Sequence, residues 1–425
     1  MDALALNSRT LVLSTAPHNF AGAGAAHART LELLASVGAT TQFWVPNEPF
    51  RVKELEGAGV EVTISSVTSD AYPNSDSVIY GSVAEALVRT ATRWLEERPD
   101  NRVVLFATYL FPFCAAVEMA ARILFRFRER VDCVLNPAGS DIWQIGRQMP
   151  HVARQLIDSQ YVTAVVTYSE CFAREIQANI GCDRVIDVIP PAIDIEKFRP
   201  LSAPDRTAAR QSLGIAQGDF VIVHCSNHRP VKGLSHLVEL ASHFASRRDE
   251  VIHLIMIGPI TSHLSEVVKL AGLPEPGDVL PYHAQLGNLR IACTGLRHDV
   301  HRLQAIGDVA VNTSLHDSFN ISLAEAMACQ IPPLTTDVAG IASTIRAYDC
   351  GGTIPFENNP VYSDNAISLT GQSIIRVDAA VAWLENIASD PEGRLAFGKR
   401  ARQAIVATCS DSVVARKWSE LVGLR

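Results

Sequence analysis

Residues 316–328, HDSFNISLAEAMA, contain two carboxylates whose spacing could serve a binding site. Asp317 and Glu325 are separated by seven residues, and the pattern places the first in a loop and the second in the first turn of a helix. Ser322 and Glu325 also fit a capping box, in which the glutamate bonds the backbone at the start of the helix. Taken by itself, the segment favours that structural role for Glu325.

A second segment, SNHRPVKG at 226–233, combines two cations with a glycine directly after an apolar run. Arg229 and Lys232 would stand in a turn between a strand and a helix, where the helix N-terminus adds a positive potential. Such a turn suits a diphosphate, because guanidinium and ammonium groups both bind phosphate oxygens. The less specialised alternative is an exposed basic turn.

Small residues dominate a third segment, PHNFAGAGAAH at 17–27. Gly22 and Gly24 would let the backbone approach a bulky anion, and the following helix would offer its free N–H groups to the charge. A tight glycine turn between strand and helix explains the same residues equally well.

The fourth segment, NPAGSDIW at 136–143, follows an apolar run that predicts a strand. Its polar side chains would lie at the carboxyl end of that strand, where ligands bind in open parallel sheets. Asp141 could serve such a site or cap the helix that follows, and the sequence leaves both possibilities open.

The strands and helices around these four segments must position them, and the sequence predicts these elements from apolar runs that alternate with helical patterns. In the first half, such runs predict buried strands at 9–15, 41–45, 102–108, 132–135 and 163–167. After a proline-rich break near residues 190–200, a second series predicts strands at 219–225, 251–258, 309–314 and 331–336. This alternation is typical of βαβ units, so the sequence predicts an α/β fold with two doubly wound lobes and a cleft between them.

Composition narrows the classes of partner. The chain has 425 residues, with 37 Lys and Arg against 45 Asp and Glu, a formal net charge of −8. That balance argues against binding to duplex nucleic acid, which requires a basic face for the phosphates. Nine scattered cysteines without a C-x-x-C pair favour reduced thiols. No apolar stretch is long enough to cross a membrane and no signal peptide is recognisable, so we expect a cytoplasmic protein without a transmembrane segment.

Together, the segments resemble retaining glycosyltransferases of the GT-B fold, and in particular glycosyltransferase family 4. The resemblance covers most of the chain and includes the small-residue loop at 21–26, GSDI at 139–142, VIPPAIDIEKFRP at 188–200, HRPVKG at 228–233 and HDSFNISLAEAMACQIPPLTTDVAG at 316–340. The last stretch is the most specific, because two acids separated by seven residues, an EAMA run and a following proline occur in one register.

The resemblance implies that the second lobe binds a nucleoside diphosphate sugar. Glu325 would hold the ribose hydroxyls of this donor, and Asp317 would bind a hydroxyl of its sugar. Lys232, with Arg229 as the second cation, would neutralise the departing diphosphate. The backbone that approaches the diphosphate and sugar would be that of Phe319, Asn320, Ile321 and Ser322.

The resemblance also implies contacts from the first lobe. Gly22 and Gly24 would pack against the diphosphate. The surroundings of the sugar or of the acceptor would include His18, Asn19, Ser140 and Asp141.

Three positions depart from the family pattern. Asp317 stands where glutamate is usual, Asn227 where an arginine is frequent, and Ala138 where many relatives have a histidine beside the sugar. In the reaction usually proposed for the family, the leaving phosphate deprotonates the acceptor, so the main requirement is electrostatic stabilisation of the diphosphate. The chain contains no D-x-D motif, the metal-binding pair of the other main fold, and we expect transfer without a metal or other cofactor.

The resulting prediction is a hexosyltransferase that moves a sugar, with retention of configuration, from a nucleoside diphosphate sugar to a hydroxyl group. A UDP-linked hexose or N-acetylhexosamine is the family's usual donor, and the acceptor would be a small molecule, a natural product or an envelope glycan. Residues 1–198 would bind the acceptor, 199–404 would bind the nucleotide sugar, and a helix at 405–425 would pack back on the first domain. The alternatives are a sugar-nucleotide-binding protein with impaired catalysis and, with less support, a sugar-nucleotide epimerase.

Overall fold

The computed structural model describes residues 9–16, 23–45, 52–64, 76–139, 141–142, 148–277, 279–337, 340–357, 362–363, 366–367 and 375–424. The chain forms two compact units. Unit 1 comprises Met1–Ala192 and Asp411–Arg425, and unit 2 comprises Ile193–Ser410.

Both unit boundaries differ from the predicted domain boundaries at 198/199 and 404/405. Residues 193–198 belong to unit 2 because they form hydrogen bonds with other residues of that unit. The N–H of Ile193 donates to the carbonyl of Cys409 at 2.7 Å, and the Arg402 guanidinium donates to the carbonyl of Phe198 at 3.0 Å.

Strands and helices alternate through the first half of the chain. The strands are β1 (Thr10–Thr15), β2 (Thr40–Val45), β3 (Val60–Ile64), β4 (Arg102–Thr108), β5 (Val131–Asn136), β6 (Ala164–Thr167) and β7 (Asp187–Val188). The helices are α1 (Ala23–Ser36), α2 (Val52–Gly57), α3 (Asp76–Glu97), α4 (Ala115–Ile123), α5 (Pro150–Ile157) and α6 (Glu170–Ile180). The strands form one parallel sheet in the order β3-β2-β1-β4-β5-β6-β7.

The second half repeats this architecture. Its strands are β8 (Phe220–Cys225), β9 (Ile252–Ile257), β10 (Tyr282–Leu286), β11 (Leu289–Cys293), β12 (Val309–Asn312), β13 (Pro333–Thr336), β14 (Gly352–Ile354) and a small pair, β15 (Tyr362–Ser363) and β16 (Ala366–Ile367). Its helices are α7 (Ala203–Ser212), α8 (Leu234–Ala245), α9 (Ser262–Leu270), α10 (Val300–Ala305), α11 (Ile321–Ala328), α12 (Ala342–Ala347), α13 (Val377–Ser389) and α14 (Pro391–Cys409). A last helix, α15 (Asp411–Leu421), belongs to unit 1.

The sheet of unit 2 has the strand order β10-β11-β9-β8-β12-β13-β14. The predicted doubly wound fold is confirmed, because every pair in this sheet is parallel except one at its edge. That exception, the antiparallel pair of β10 and β11, was not predicted. The edge strand β10 is largely solvent-exposed and lacks a buried apolar run, and Gly287, with φ of 60°, begins the tight connection to β11.

The sheet of unit 1 is covered on both faces. Leu11 and Leu13 of β1 belong to the core on one face, and Val12 belongs to the core on the other. Helix α15 completes the second of these cores: Trp418 is buried there, and its ring centroid lies 4.9 Å from that of Phe106. The alternation of buried side chains along β1 is the one expected for a strand with helices on both sides.

The length and polarity of the described helices decide whether any of them could cross a membrane. Among the described helices, the longest are α3, with 22 residues, and α14, with 19. Helix α14 buries small residues such as Gly398 and Ala401 on one side and carries charges elsewhere. In the described ranges, no helix combines the length and the apolar character that a membrane span requires.

Candidate functional site

Two of the predicted segments meet at the point where the strand order of unit 2 reverses. Strands β8 and β12 are neighbours there. The segment 226–233 follows β8, and the segment 313–320 follows β12 and leads into α11. Open parallel sheets bind ligands at such switch points, beyond the carboxyl ends of the strands.

Close backbone contacts hold these two segments together. Gly233 has a φ of 61°, and a Cβ added to it would lie 2.1 Å from the carbonyl oxygen of Thr313. The Thr313 hydroxyl donates to the Gly233 carbonyl at 2.9 Å, and the N–H of Leu315 donates to the Val231 carbonyl at 2.8 Å. Only glycine fits this position, because any side chain would push the two segments apart.

Lys232 and Asp317, one from each segment, form an ion pair. The Lys232 Nζ atom lies 2.8 Å from Oδ2 of Asp317, and the two side chains are 18% and 12% exposed. Lys232 ends a short 3₁₀ turn, Pro230–Lys232, just before α8. Residues that the sequence analysis assigned to one binding site are therefore in direct contact.

Two buried histidines, His224 at the end of β8 and His228 in the segment itself, stabilise the 226–233 segment. His224 Nδ1 lies 2.9 Å from the carbonyl of Val311, and its Nε2 lies 2.8 Å from the Ser226 hydroxyl. Burial lowers the pKa of His224 to about 3, so the ring is neutral. His228 is also fully buried, has a φ of 46°, and bonds the Pro259 carbonyl through Nδ1 at 2.7 Å.

Sequence reasoning did not assign these supporting histidines. The available signal was a polar run directly after a buried strand, which is typical of a turn but does not say what its side chains bind. Within the described part of the chain, no cluster of three or more His, Cys, Asp and Glu side chains is arranged to hold a metal ion.

Arg229, the second predicted cation, is exposed and bound to a neighbour in the same loop. With the Asn227 amide oriented so that its oxygen faces the guanidinium, that oxygen accepts from Nε and Nη2 of Arg229, each at 3.0 Å. The amide orientation follows from this hydrogen bonding. Asn227, which stands where relatives often have an arginine, thus orients the cation two positions later.

The start of α11 differs from the capping box that the sequence suggested. The N-cap is Asn320, with a φ of 78°, and its side chain accepts from the N–H of Leu323 at 3.0 Å. Ser322 lies inside the helix, and its hydroxyl donates to the carbonyl of Cys225 at 2.6 Å. Glu325 is the fifth residue of the helix, whereas a capping box requires the third. The capping interpretation of Glu325 is therefore wrong.

The first turn of α11 has free N–H groups. Among the described residues, no acceptor bonds the N–H of Ile321 or Ser322. The loop before the helix is fixed, because the N–H of Gly340 donates to the Asp317 carbonyl and the N–H of Ile341 donates to the Phe319 carbonyl, each at 3.0 Å. Free N–H groups at a helix N-terminus favour binding of an anion.

The carboxylate of Glu325 has no hydrogen bond or ion pair to any described residue. Its side chain is half-buried, and desolvation raises its pKa to about 8, while the charge of Lys197 acts in the opposite direction. Arg402 holds the backbone next to Lys197 in place, since it donates both to the Phe198 carbonyl and to the Ala328 carbonyl at the end of α11. An unpaired carboxyl group in such a setting favours a hydrogen-bonding ligand.

The raised pKa of Glu325 predicts that Glu325→Gln stabilises the protein more at high pH than at low pH. The unfolded carboxyl ionises near 4.5, whereas the folded one stays protonated to about 8, so wild-type stability falls as pH rises between these values. Glutamine carries no charge and avoids this loss. Melting temperatures at about pH 5 and about pH 9 test the difference. The exposed Glu275→Gln variant is the control, and an equal pH response in both variants would contradict the prediction.

Asp141 in unit 1 is tied to the backbone around it. Its side chain is buried, and its two oxygens accept from the N–H groups of Leu110 and Gly139, each at 2.9 Å. Burial raises its pKa to about 6. These bonds run to residues upstream in the chain and fix the turns after β4 and β5, so Asp141 positions the loop that contains Ala138, which is buried as well.

The remaining predicted site residues of unit 1 are only partly described. Gly24 is buried in the first turn of α1. The other predicted positions lie outside the described residues: His18, Asn19, Gly22 and Ser140.

Comparison with protein families matches residues 205–403 to the model described as Glycosyl transferases group 1. Among curated proteins, the chain is 24% identical over 352 residues to the N-acetyl-alpha-D-glucosaminyl L-malate synthase of Bacillus anthracis, covering 82% of this chain and 84% of that protein. It is 29% identical over 180 residues to the D-inositol 3-phosphate glycosyltransferase of Nocardia farcinica, a match that spans 41% of this chain and 37% of that protein.

Solved structures share the fold over nearly the whole chain. A glycosyltransferase from Rickettsia africae has a TM-score of 0.72 and 16% identity, with 98% of each chain covered. Anabaena HepE, in complex with UDP and glucose, has a TM-score of 0.71 and 17% identity, with 98% of this chain and 99% of that chain covered. The fold is therefore GT-B, with two Rossmann-like units, and residues 205–403 match the model of group 1 glycosyl transferases. These findings support glycosyltransferase activity.

Proposed function

We propose that the protein is a retaining hexosyltransferase of glycosyltransferase family 4, with a UDP-linked hexose or N-acetylhexosamine as donor and a hydroxyl group as acceptor. One observation carries the proposal: the unpaired Glu325 carboxylate and the free N–H groups belong to the same helix, α11. The N–H groups suit a diphosphate, and the Lys232–Asp317 pair in the adjoining loops suits a diphosphate and a sugar. The UDP complexes of Anabaena HepE support the choice of nucleotide.

The donor would be held by groups of three kinds. The Glu325 carboxylate would accept hydrogen bonds from the two ribose hydroxyls, a pairing that is stronger for a charged acceptor than for a neutral one. The N–H groups of Ile321 and Ser322 would bind the diphosphate. Asp317, whose second oxygen faces the N–H of Phe319 at 3.4 Å, would accept from a hydroxyl of the sugar.

Chemistry would depend on charge stabilisation at the leaving group. The bond between the anomeric carbon and the phosphate oxygen breaks, and its electron pair remains on the diphosphate. Lys232 and Arg229 would stabilise this charge, which fixed cations do well because they need no reorganisation as the charge develops. The acceptor oxygen bonds the anomeric carbon on the same face, and its proton passes to the leaving phosphate. Unit 1 would bind the acceptor.

A second candidate is a nucleotide-sugar-binding protein without turnover. Ala138 favours this second candidate. It is buried at the position where many relatives have a histidine beside the sugar, and its side chain has no polar group to offer the reacting sugar. Asp317 also reaches one methylene less far than the usual glutamate.

Donor binding and donor consumption distinguish these candidates. The purified protein is melted with UDP-glucose, UDP-N-acetylglucosamine, and their ADP and GDP counterparts, and release of nucleoside diphosphate is followed with a chelator present. A true donor at a hundredfold excess over its dissociation constant stabilises by about 2.7 kcal/mol. We expect stabilisation by a UDP-sugar and hydrolysis or transfer that the chelator does not change. Binding without consumption would favour the second candidate, and no binding of any sugar nucleotide would contradict both.

A further inference from the structure

Hydrogen bonds hold the backbone of both residues of the Lys232–Asp317 ion pair. The backbone of Lys232 is held in place, because its carbonyl and that of Gly233 accept from the Thr313 hydroxyl at 3.2 and 2.9 Å. Asp317 is held through its own carbonyl, which accepts from the N–H of Gly340. Two opposite charges 2.8 Å apart therefore face any anion that approaches this edge of the sheet.

We propose that Asp317 makes the site discriminate against the sugar-free nucleoside diphosphate by competing with it for Lys232. The proposal rests on the proposed function and assigns to Asp317 a role in product release beyond its contact with the sugar. While the donor is intact, Asp317 has a favourable partner, because a sugar hydroxyl can donate to it. Once the sugar has left, its hydroxyl no longer donates to this carboxylate, which then faces a more highly charged phosphate.

The charges of the two ligands support this difference. The diphosphate of a sugar nucleotide is esterified at both ends, whereas transfer frees one end and leaves an additional ionisable oxygen on the terminal phosphate. Like charges placed close together in a protein site weaken binding substantially. Asp317 thus penalises the product more than the donor, and the half-buried position of the pair limits screening by salt.

The test measures dissociation constants of UDP and UDP-glucose by calorimetry, without divalent metal, for the wild type and Asp317→Asn. We expect Asp317→Asn to bind UDP roughly tenfold more tightly, with UDP-glucose unchanged or bound more weakly. Asp317→Glu retains the charge and should keep the wild-type preference. Asp378→Asn, which removes an exposed carboxylate from α13 of the same unit, controls for the change in net charge.

The Lys232→Gln background shows whether the effect passes through the ion pair. There the Asp317→Asn substitution should change UDP affinity much less than in the wild type. Equal changes for UDP and UDP-glucose, or a full gain in UDP affinity without Lys232, would overturn the proposal while leaving the glycosyltransferase assignment intact. A wild type that binds neither ligand would overturn the proposed function, and this proposal with it.

Discussion

Replacement of Lys232 by alanine is expected to lower the turnover number by about 10²–10³, equivalent to ~2.7–4 kcal/mol of activation free energy. The ammonium group lies 2.8 Å from the Asp317 carboxylate, in the loop that leads into α11, where the charge of a departing diphosphate would develop. Stability should change less than turnover, since the Asp317 carboxylate that loses its partner keeps some contact with water and faces the N–H of Phe319.

Steady-state transfer rates and melting temperatures, measured together, check this expectation. Lys269→Ala is the matched control, because Lys269 pairs with Glu275 on the surface of the same unit. That variant should keep wild-type turnover. Near-normal turnover in Lys232→Ala would assign the leaving-group charge to Arg229 or to the α11 N-terminus instead.

The second large effect is expected on donor affinity in Glu325→Gln. If the carboxylate accepts from two ribose hydroxyls, the amide retains one neutral acceptor oxygen in place of two charged ones. Charged hydrogen bonds contribute about 1.5–3 kcal/mol, so the donor dissociation constant should rise roughly tenfold or more. Since the bound form requires an ionised carboxylate, the wild-type affinity should also weaken as pH falls below about 8.

Calorimetric titration of the donor at two pH values tests this effect, with Glu275→Gln as control. The Glu325→Gln variant should lose both affinity and the pH dependence that the carboxylate causes. Unchanged donor affinity would make Glu325 a structural residue and remove the strongest support for ribose binding. A fall in affinity together with a large fall in melting temperature would instead indicate damage to α11.

The sheets could be predicted because their strands are short, buried and apolar. The predicted strands at 102–108 and 219–225 coincide with β4 and β8 to within one residue. Strand β4 lies next to β1 and β8 lies next to β12, and the strand order of each sheet reverses at these pairs. The loops that follow β4 and β8 were predicted at the correct edge of each sheet, because the position of a loop after a strand can be read from the local sequence pattern.

The contacts within the site could not be predicted, since they join residues far apart in the chain. The Lys232–Asp317 pair spans 85 positions, and the His224–Val311 contact spans 87. The capping error had a different cause: Ser322-x-x-Glu325 fits the box, but Asn320 tolerates a positive φ and caps the helix two residues earlier. Local pattern alone does not rank two competing caps.

The return of α15 to unit 1 has a consequence for the order in which the chain becomes folded during synthesis. Val414 and Trp418 are fully part of the core that contains Val12 and Phe106, yet the ribosome delivers them only after every residue of unit 2. Domains generally fold as they emerge. Here the amino-terminal unit must wait with an open apolar face, while the later unit can finish first. Released chains that end at Ser410, and so contain all of unit 2 but lack α15, should therefore bind chaperones through unit 1, whereas the full chain should not.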